Sequence, residues 1–363
     1  MPYLNYAAIG LLRRPAITAM HVAIDQALAR GLADYDQLFA ACDAARTTAG
    51  RLLECDRDEV AFIGNTSAGI HLVADGIEWR SGDEVVLFDR DFPANVQPWR
   101  RLARRGVVLR WIPVRDGGYE LDDVAHVIGP ATRLIAVSHV NFVTGFRIDL
   151  DELCKLAHPA GALVFVDAVQ SLGVLPLSVA RTPIDFLAAG GHKWLCAPPG
   201  TGLFYCRRDR MDLLRWAPPG WTGYDGALDV LNKGAGHLNY ELPLLPDARR
   251  FEGGTPNLLG LVGLASALEE LVEVGIGAVT SRVLLLTSRL REALAERDYT
   301  VLSPDGAARS GIVSFTHTEK PSEKLYELLT TAGCHVSFPD GKLRASPHYW
   351  TSEVELDQFI DVL

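Results

Sequence analysis

Short apolar runs alternate along this chain with stretches whose apolar residues recur at helical spacing. Runs of strand length stand at Val60–Ile63, Glu84–Phe88, 107–112, 134–138, 162–167, 184–189 and Gly202–Cys206. Helices are predicted between and before them. One spans 15–31, with Pro15 suited to a first turn and Gly31 to an end. A second covers 35–54, where Leu38, Ala41, Ala45 and Leu52 form a rough apolar stripe, and others start near Ile70 and cover Leu121–Val127 and 149–160. Strands that alternate with helices predict a mainly parallel sheet sandwiched by helices, hence an α/β fold. After a helix at 256–271 the pattern changes. An amphipathic helix at 279–296 leads to strands at 312–315 and 335–337 and helices at 321–332 and 352–363, a smaller α+β domain. The expected organisation is an N-terminal arm (1–15), a large domain (16–257) and a small C-terminal domain (258–363) entered through a linking helix at about 258–275.

Composition narrows the function without naming it. A chain of 363 residues can hold one large domain and a smaller one. Its 48% hydrophobic and 22% charged residues suit a soluble globular enzyme. A formal charge of −10 provides no electrostatic footing for nucleic acid or an anionic membrane. The six cysteines, Cys42, Cys55, Cys154, Cys196, Cys206 and Cys334, lack C-x-x-C spacing and read as reduced thiols, mostly in the core, with no metal site. No basic region followed by a long apolar run opens the chain, so no signal peptide is expected. No apolar stretch reaches bilayer length. The expected location is the cytoplasm.

Four strand ends carry candidate chemistry. The run 184–189 ends in Gly190-Gly191-His192-Lys193-Trp194. The glycines permit a tight turn and close backbone approach. A lysine partly buried there has a lowered pKa and becomes a nucleophilic amine, whereas a solvated lysine does not. Asp167-Ala168-Val169-Gln170 closes the preceding strand, one crossover away. The turn Gly64-Asn65-Thr66-Ser67-Ala68-Gly69 joins a strand to a helix, which makes either an anion site of free N–H groups and hydroxyls or plain N-capping. Ser138-His139-Val140-Asn141-Phe142-Val143-Thr144-Gly145 also ends a strand, where parallel sheets bind ligands.

The segment Val164-Phe165-Val166-Asp167-Ala168-Val169-Gln170-Ser171, followed by Gly191-His192-Lys193-Trp194, resembles the class V aminotransferase family of pyridoxal-phosphate (PLP) enzymes. That family includes cysteine desulfurases, selenocysteine lyase, kynureninase and isopenicillin-N-epimerase-like proteins. The likeness runs over nearly the whole chain and implies the PLP fold type I. By it, Lys193 would carry the cofactor as a Schiff base, Asp167 would pair with the pyridine nitrogen, Gln170 would reach the phenolic oxygen, and His192 would help hold the phosphate. Thr66, Ser67 and Ala68 match the family's phosphate turn. Phe92 falls where desulfurases stack a histidine on the ring, and Phe142 where they have an asparagine; Asn141 is a doubtful substitute. Phe92 is read either as a stacking ring or as a core aromatic. Arg249-Arg250-Phe251-Glu252-Gly253-Gly254-Thr255-Pro256 is similar to a motif whose Gly254-Thr255 would come across a homodimer interface to the phosphate; alternatively Thr255 is an N-cap. Lys342-Leu343-Arg344-Ala345-Ser346 resembles the segment whose arginine clamps a substrate α-carboxylate, which points to Arg344. Asn5 and Tyr6, on an arm that edges the pocket in similar proteins, are further substrate-side candidates.

The implied reaction starts at the α-carbon of an amino acid or amino-acid conjugate, with Lys193 as base and Asp167 strengthening the electron sink. β-Elimination, possible at a carbon–sulfur bond, stands ahead of transamination and epimerisation, and a catalytically silent binding protein of the same fold is the reading from another class. No metal is expected. Cys334, at a helix end before a short segment, does not resemble the mobile loop cysteine of persulfide-forming desulfurases.

Overall fold

A computed structural model describes residues 2–30 and 35–363 of the chain. The expected helix end at Gly31 and the side chain of Leu38 lie outside the described residues. Helices α1 (Arg14–Arg30) and α2 (Tyr35–Leu53) come first, followed by β1 (Val60–Ile63), α3 (Thr66–Gly76), β2 (Glu84–Phe88), α4 (Gln97–Arg101), β3 (Val108–Ile112), α5 (Leu121–Val127), β4 (Thr132–Ser138), α6 (Leu150–Ala157), β5 (Leu163–Asp167), β6 (Phe186–Gly190) and β7 (Gly202–Cys206). These strands form one sheet in the order β1-β7-β6-β5-β4-β2-β3. It is mainly parallel, as the strand–helix alternation predicts. The exception is β7, antiparallel to both β1 and β6. Glycine makes that pairing possible: a Cβ at Gly202 would lie 2.6 Å from the Ala189 carbonyl oxygen.

The apolar runs look continuous because both faces of the strands are covered. Val86, Phe88, Val137, Val164 and Leu187 pack with α2, α5 and α6 on one face. Val85, Leu87, Ala136, Phe165 and Phe204 pack with Ile70 and Val73 of α3 and Trp99 of α4 on the other. Successive side chains alternate between the two cores, the period-2 rule of a strand.

After β7 come the short helix α7 (Asp229–Asn232), α8 (Leu258–Val274) and α9 (Ile276–Ala295). The α8 side chains Leu258, Leu261, Leu264 and Leu268 join the core of the large sheet. Its N-cap is Asn257, whose side chain accepts from Gly260 N–H. Thr255 therefore does not cap this helix, because Asn257 stands nearer its first turn. The C-terminal part holds a second, antiparallel sheet of β8 (Tyr299–Val301), β9 (Val313–His317) and β10 (Leu343–Ala345), with α10 (Ser322–Thr331) and α11 (Glu353–Ile360) packed on it. Three-residue strands escape pattern reading, so β8 and β10 were not predicted. The strand expected at 335–337 forms only isolated bridges, His335 to Tyr3 and Ser337 to Arg344. The N-terminal arm reaches across to this part: Leu4 exchanges hydrogen bonds with His335 and Ser346 and is fully buried. Among the described residues no helix is long and apolar enough to cross a membrane, and no group of three or more His, Cys, Asp or Glu could hold a metal ion.

Candidate active site

Register places the strand ends level. Ser138 pairs with Asp167, and Asp167 with Ala188, so β4, β5 and β6 finish side by side. A cavity of about 400 Å³ opens at that edge, lined by Thr66, Ser67, Phe92, Asp167, Lys193 and Arg344 among others. That size suits a small-molecule site, typically ~300–1,000 Å³, at the position where open α/β sheets bind ligands.

Lys193 stands on the turn after β6. The turn is closed by Cys196 N–H to Lys193 O at 2.9 Å and Gly191 N–H to Thr201 O at 2.7 Å. The arm seals its outer side through Gly10, whose N–H donates to His192 O at 2.7 Å. A Cβ at Gly10 would lie 2.1 Å from the Lys193 carbonyl oxygen, so only glycine fits there. Burial pushes the Lys193 amine below the usual lysine range; the Asp167 charge opposes this and Arg344 reinforces it. Asp167 is 2% exposed, and its Oδ1 accepts from Val169 N–H at 2.9 Å. Burial holds its carboxyl above the usual range, with the nearby Asp91 adding and Lys193 subtracting. Among the described residues neither group has an ion-pair partner within 4.0 Å. A buried amine and a buried carboxylate, both short of compensation, fit an aldehyde cofactor with a basic ring nitrogen.

The anion end forms at α3. Asn65 caps it, its Oδ1 accepting from Ala68 N–H at 2.9 Å. That corrects the expectation for Ala68: its N–H is taken, and it lines a different cleft. Thr66 and Ser67 remain at the helix N-terminus on the cavity wall. The Thr66 hydroxyl accepts from Gly190 N–H at 2.9 Å, which leaves its own proton free to donate. His192 also lines the cavity, and burial, then the Lys193 charge, lower its pKa, which favours the neutral ring.

Gln170 lines the cavity but clasps the fold. Its Nε2 donates to Ala7 O and its Oε1 accepts from Trp194 Nε1, both at 2.9 Å. One N–H of Nε2 remains for a ligand. Phe92 is 40% exposed and its ring lies 5.4 Å from Lys193 Nζ. It meets Phe142 edge to face at 5.1 Å, so it is a wall residue and not a core aromatic. Asn141 does not replace the missing asparagine: its Oδ1 accepts from Val143 and Thr144 N–H and its Nδ2 donates to Tyr119, away from the cavity. Arg344, on β10, is 4% exposed. Its Nε donates to Ser337 Oγ at 2.9 Å and Nη1 to Phe142 O at 2.5 Å, and it has no carboxylate within 4.0 Å among the described residues. A buried guanidinium held by neutral acceptors, with donors to spare, is a ready carboxylate clamp.

The other candidates lie elsewhere. Asn5 bridges Ser346 and Tyr6 accepts from Trp350 Nε1 at 2.6 Å; Ala7 and Ala8 are the arm residues that reach the cavity. Thr255 is exposed and lines a separate cleft with Gly253, Gly254 and Asn257, so this chain alone does not bring it to the cavity. One residue escaped sequence reading. Asp91 is 9% exposed and accepts from Ser138 Oγ (2.6 Å), Asn95 Nδ2 (2.9 Å) and Phe92 N–H (2.6 Å). It fixes the loop that presents Phe92. Asn95, four residues on, was the available signal.

A profile of the family described as "Aminotransferase class-V" matches residues 3–355. The chain belongs to the aminotransferase class-V family. It is a PLP-dependent enzyme of the PLP fold type I. The chain is 31% identical to a cysteine desulfurase of Escherichia coli, over 84% of this chain and 76% of that protein. It is 30% identical to isopenicillin N epimerase of Streptomyces clavuligerus, over 88% and 83%. The apo structure of a cysteine desulfurase from Thermococcus onnurineus superposes with a TM-score of 0.87 at 26% identity, covering 99% of this chain and 93% of that one.

Within the family, the direction of the Lys193 shift sets a pH response. Only the neutral amine attacks an aldehyde. The rate of covalent loading of the apoprotein with PLP is therefore expected to rise with pH and level off well below 10.5, the ordinary lysine value. Stopped-flow absorbance across pH 6–11 checks it, and a midpoint at the ordinary value would refute the desolvated lysine.

Cys334 is 3% exposed and packs in the small-sheet core, and burial raises its thiol pKa. A buried neutral thiol is a poor sulfur acceptor. Cys334→Ser is expected to keep turnover within a few-fold of wild type, and mass spectrometry should find no persulfide on the wild-type protein after incubation with cysteine. Lost activity together with a persulfide at Cys334 would reverse this.

Proposed function

We propose that the enzyme catalyses β-elimination from an amino acid with sulfur on its β-carbon, a carbon–sulfur lyase reaction. The observation that carries this is that one cavity is lined by both Lys193, a base, and the Arg344 guanidinium, which has no carboxylate within 4.0 Å among the described residues. Arg344 holds the α-carboxylate, which presents Cα–H to Lys193; Lys193 takes that proton. When bound, PLP supplies the sink for the electrons released at Cα. Asp167 would keep the ring nitrogen protonated, Thr66, Ser67 and His192 would hold the phosphate, Gln170 would donate to the phenolic oxygen, and Phe92 would lie against the ring. Desulfurases among the relatives support cleavage at sulfur, and the buried Cys334 argues against a protein persulfide.

The working unit is proposed to be a homodimer in which the partner subunit's Gly254 and Thr255 complete the phosphate end. Trp221, which lies beside Gly254 and is 46% exposed, supports an apolar surface there. The free thiols fit a cytoplasmic location. An amino-acid panel followed simultaneously for pyruvate, ammonia, sulfur product and keto acid tests the reaction. Equal pyruvate, ammonia and sulfur product is expected; keto acid without sulfur release, or loss of optical activity alone, replaces elimination by transamination or epimerisation.

A further inference from the structure

Among the described residues, four ionisable side chains line the cavity: Asp167, His192, Lys193 and Arg344. Each is committed elsewhere before a leaving group departs. Asp167 lies at the end of β5 with Oδ1 held by Val169 N–H. His192 belongs to the anion end: a Cβ on Gly190 would lie 2.9 Å from His192 Nδ1 and 3.4 Å from Thr66 Oγ1, which sets the imidazole and that hydroxyl together. Arg344 is pinned by Ser337 and Phe142. Lys193 takes up the Cα proton. Two aromatic rings, Phe92 and Phe142, link Lys193 to Arg344 along the cavity wall. Phe92 lies against Lys193 Nζ, Phe142 meets Phe92 edge to face, and the Phe142 carbonyl holds Arg344. Among the described residues the ionisable donor on that wall is Lys193 itself, once it has taken up the Cα proton, and an ammonium is a weaker acid than an arenethiol.

The geometry points to cysteine S-conjugates that carry an aromatic ring on sulfur as the substrates, with the thiolate leaving unprotonated. The inference rests on the elimination reading above. Lys193 removes the Cα proton, the Cβ–S bond breaks, and sulfur keeps its electron pair. Water then converts the released enamine to pyruvate and ammonium, and the thiolate takes its proton from solvent. An arenethiolate spreads its charge into the ring, so it needs no acid to leave and loses less on contact with an apolar wall. Its ring meets Phe92 and Phe142 in the offset or edge-to-face contacts that aromatic pairs prefer. The newly formed Lys193 ammonium lies beside the Phe92 face and favours the anion electrostatically.

The test compares S-(4-nitrophenyl)-, S-phenyl-, S-benzyl- and S-ethyl-L-cysteine on the holoenzyme. With a Brønsted slope near 0.5, about that of thiolate exchange, kcat should fall roughly threefold for each unit rise in thiol pKa. S-Benzyl-L-cysteine separates leaving ability from fit. It should bind cofactor-loaded Lys193→Ala protein as tightly as the S-phenyl conjugate by calorimetry, and S-ethyl-L-cysteine more weakly. In Phe92→His, which places an ionisable ring on the wall, the slope should flatten. Pyruvate from all four conjugates at one rate, or equal binding of ethyl and benzyl conjugates, overturns this inference and leaves elimination standing. Keto acid in place of pyruvate from every conjugate overturns elimination and this inference with it.

Discussion

Borohydride reduction of the yellow holoenzyme is expected to bleach it and leave a pyridoxyl label on Lys193, and Lys193→Ala is expected to lower kcat by about a thousandfold or more. Loss of a positioned base alone removes roughly 10²–10⁴, and loss of the covalent anchor adds to it. The argument starts from solvation. Burial lowers the Lys193 pKa, so the amine is available as a nucleophile when the cofactor enters and as a base when the substrate displaces it. The turn that carries it is closed from both sides, by Cys196 and by Gly10 of the arm, so alanine should leave the fold intact. Circular dichroism and the melting temperature check that. A label mapped to another lysine, or a Lys193→Ala enzyme with near wild-type turnover, would remove the base from the mechanism.

Much of this was legible in the sequence for local reasons. The α/β architecture follows from strand-length apolar runs alternating with helical periodicity. Lys193, Asp167, Thr66 and Ser67 stand at strand ends or on the turns that follow them, where small residues mark the break. What stayed hidden depends on contacts between distant segments. Asp91 is held by Ser138, 47 residues away, and Arg344 by Phe142, 202 residues away. Ala68 looked available because the competing acceptor, the Asn65 side chain, decides the cap only in three dimensions. The arm was assigned to the pocket, but the register of Asn5 against Ser346 turns Asn5 and Tyr6 elsewhere and leaves Ala7 and Ala8 at the rim. β8 and β10 are too short for a period-2 signal, and β10 interrupts its apolar pattern with the buried Arg344.

Asp167→Asn is expected to cut kcat by roughly a hundredfold or more while making the apoprotein more stable. A hundredfold loss corresponds to about 2.7 kcal/mol of transition-state stabilisation, a plausible scale for removing one charge that faces the ring nitrogen in a buried site. The amide keeps the carboxylate's shape and can still accept from Val169 N–H, so geometry is retained and the charge alone is lost. The stability effect has the opposite sign. Burial raises the folded-state pKa of Asp167, so the folded apoprotein binds this proton more tightly than the unfolded chain does. Its contribution is therefore least unfavourable at low pH and becomes costly as pH rises and the carboxylate ionises. Asparagine has no such cost, so the gain should be larger at pH 8 than at pH 5. A rise of about 2 °C or more is expected, the scale of 1 kcal/mol in a large domain. Lys193 also loses the charge that favours its ammonium, so covalent loading of the mutant should reach its plateau at lower pH than wild type. Calorimetric melting of both apoproteins at the two pH values and stopped-flow loading measure these outcomes. Wild-type turnover in Asp167→Asn, or an apoprotein destabilised at pH 8, would show that this carboxylate is a structural group and that something else holds the ring nitrogen.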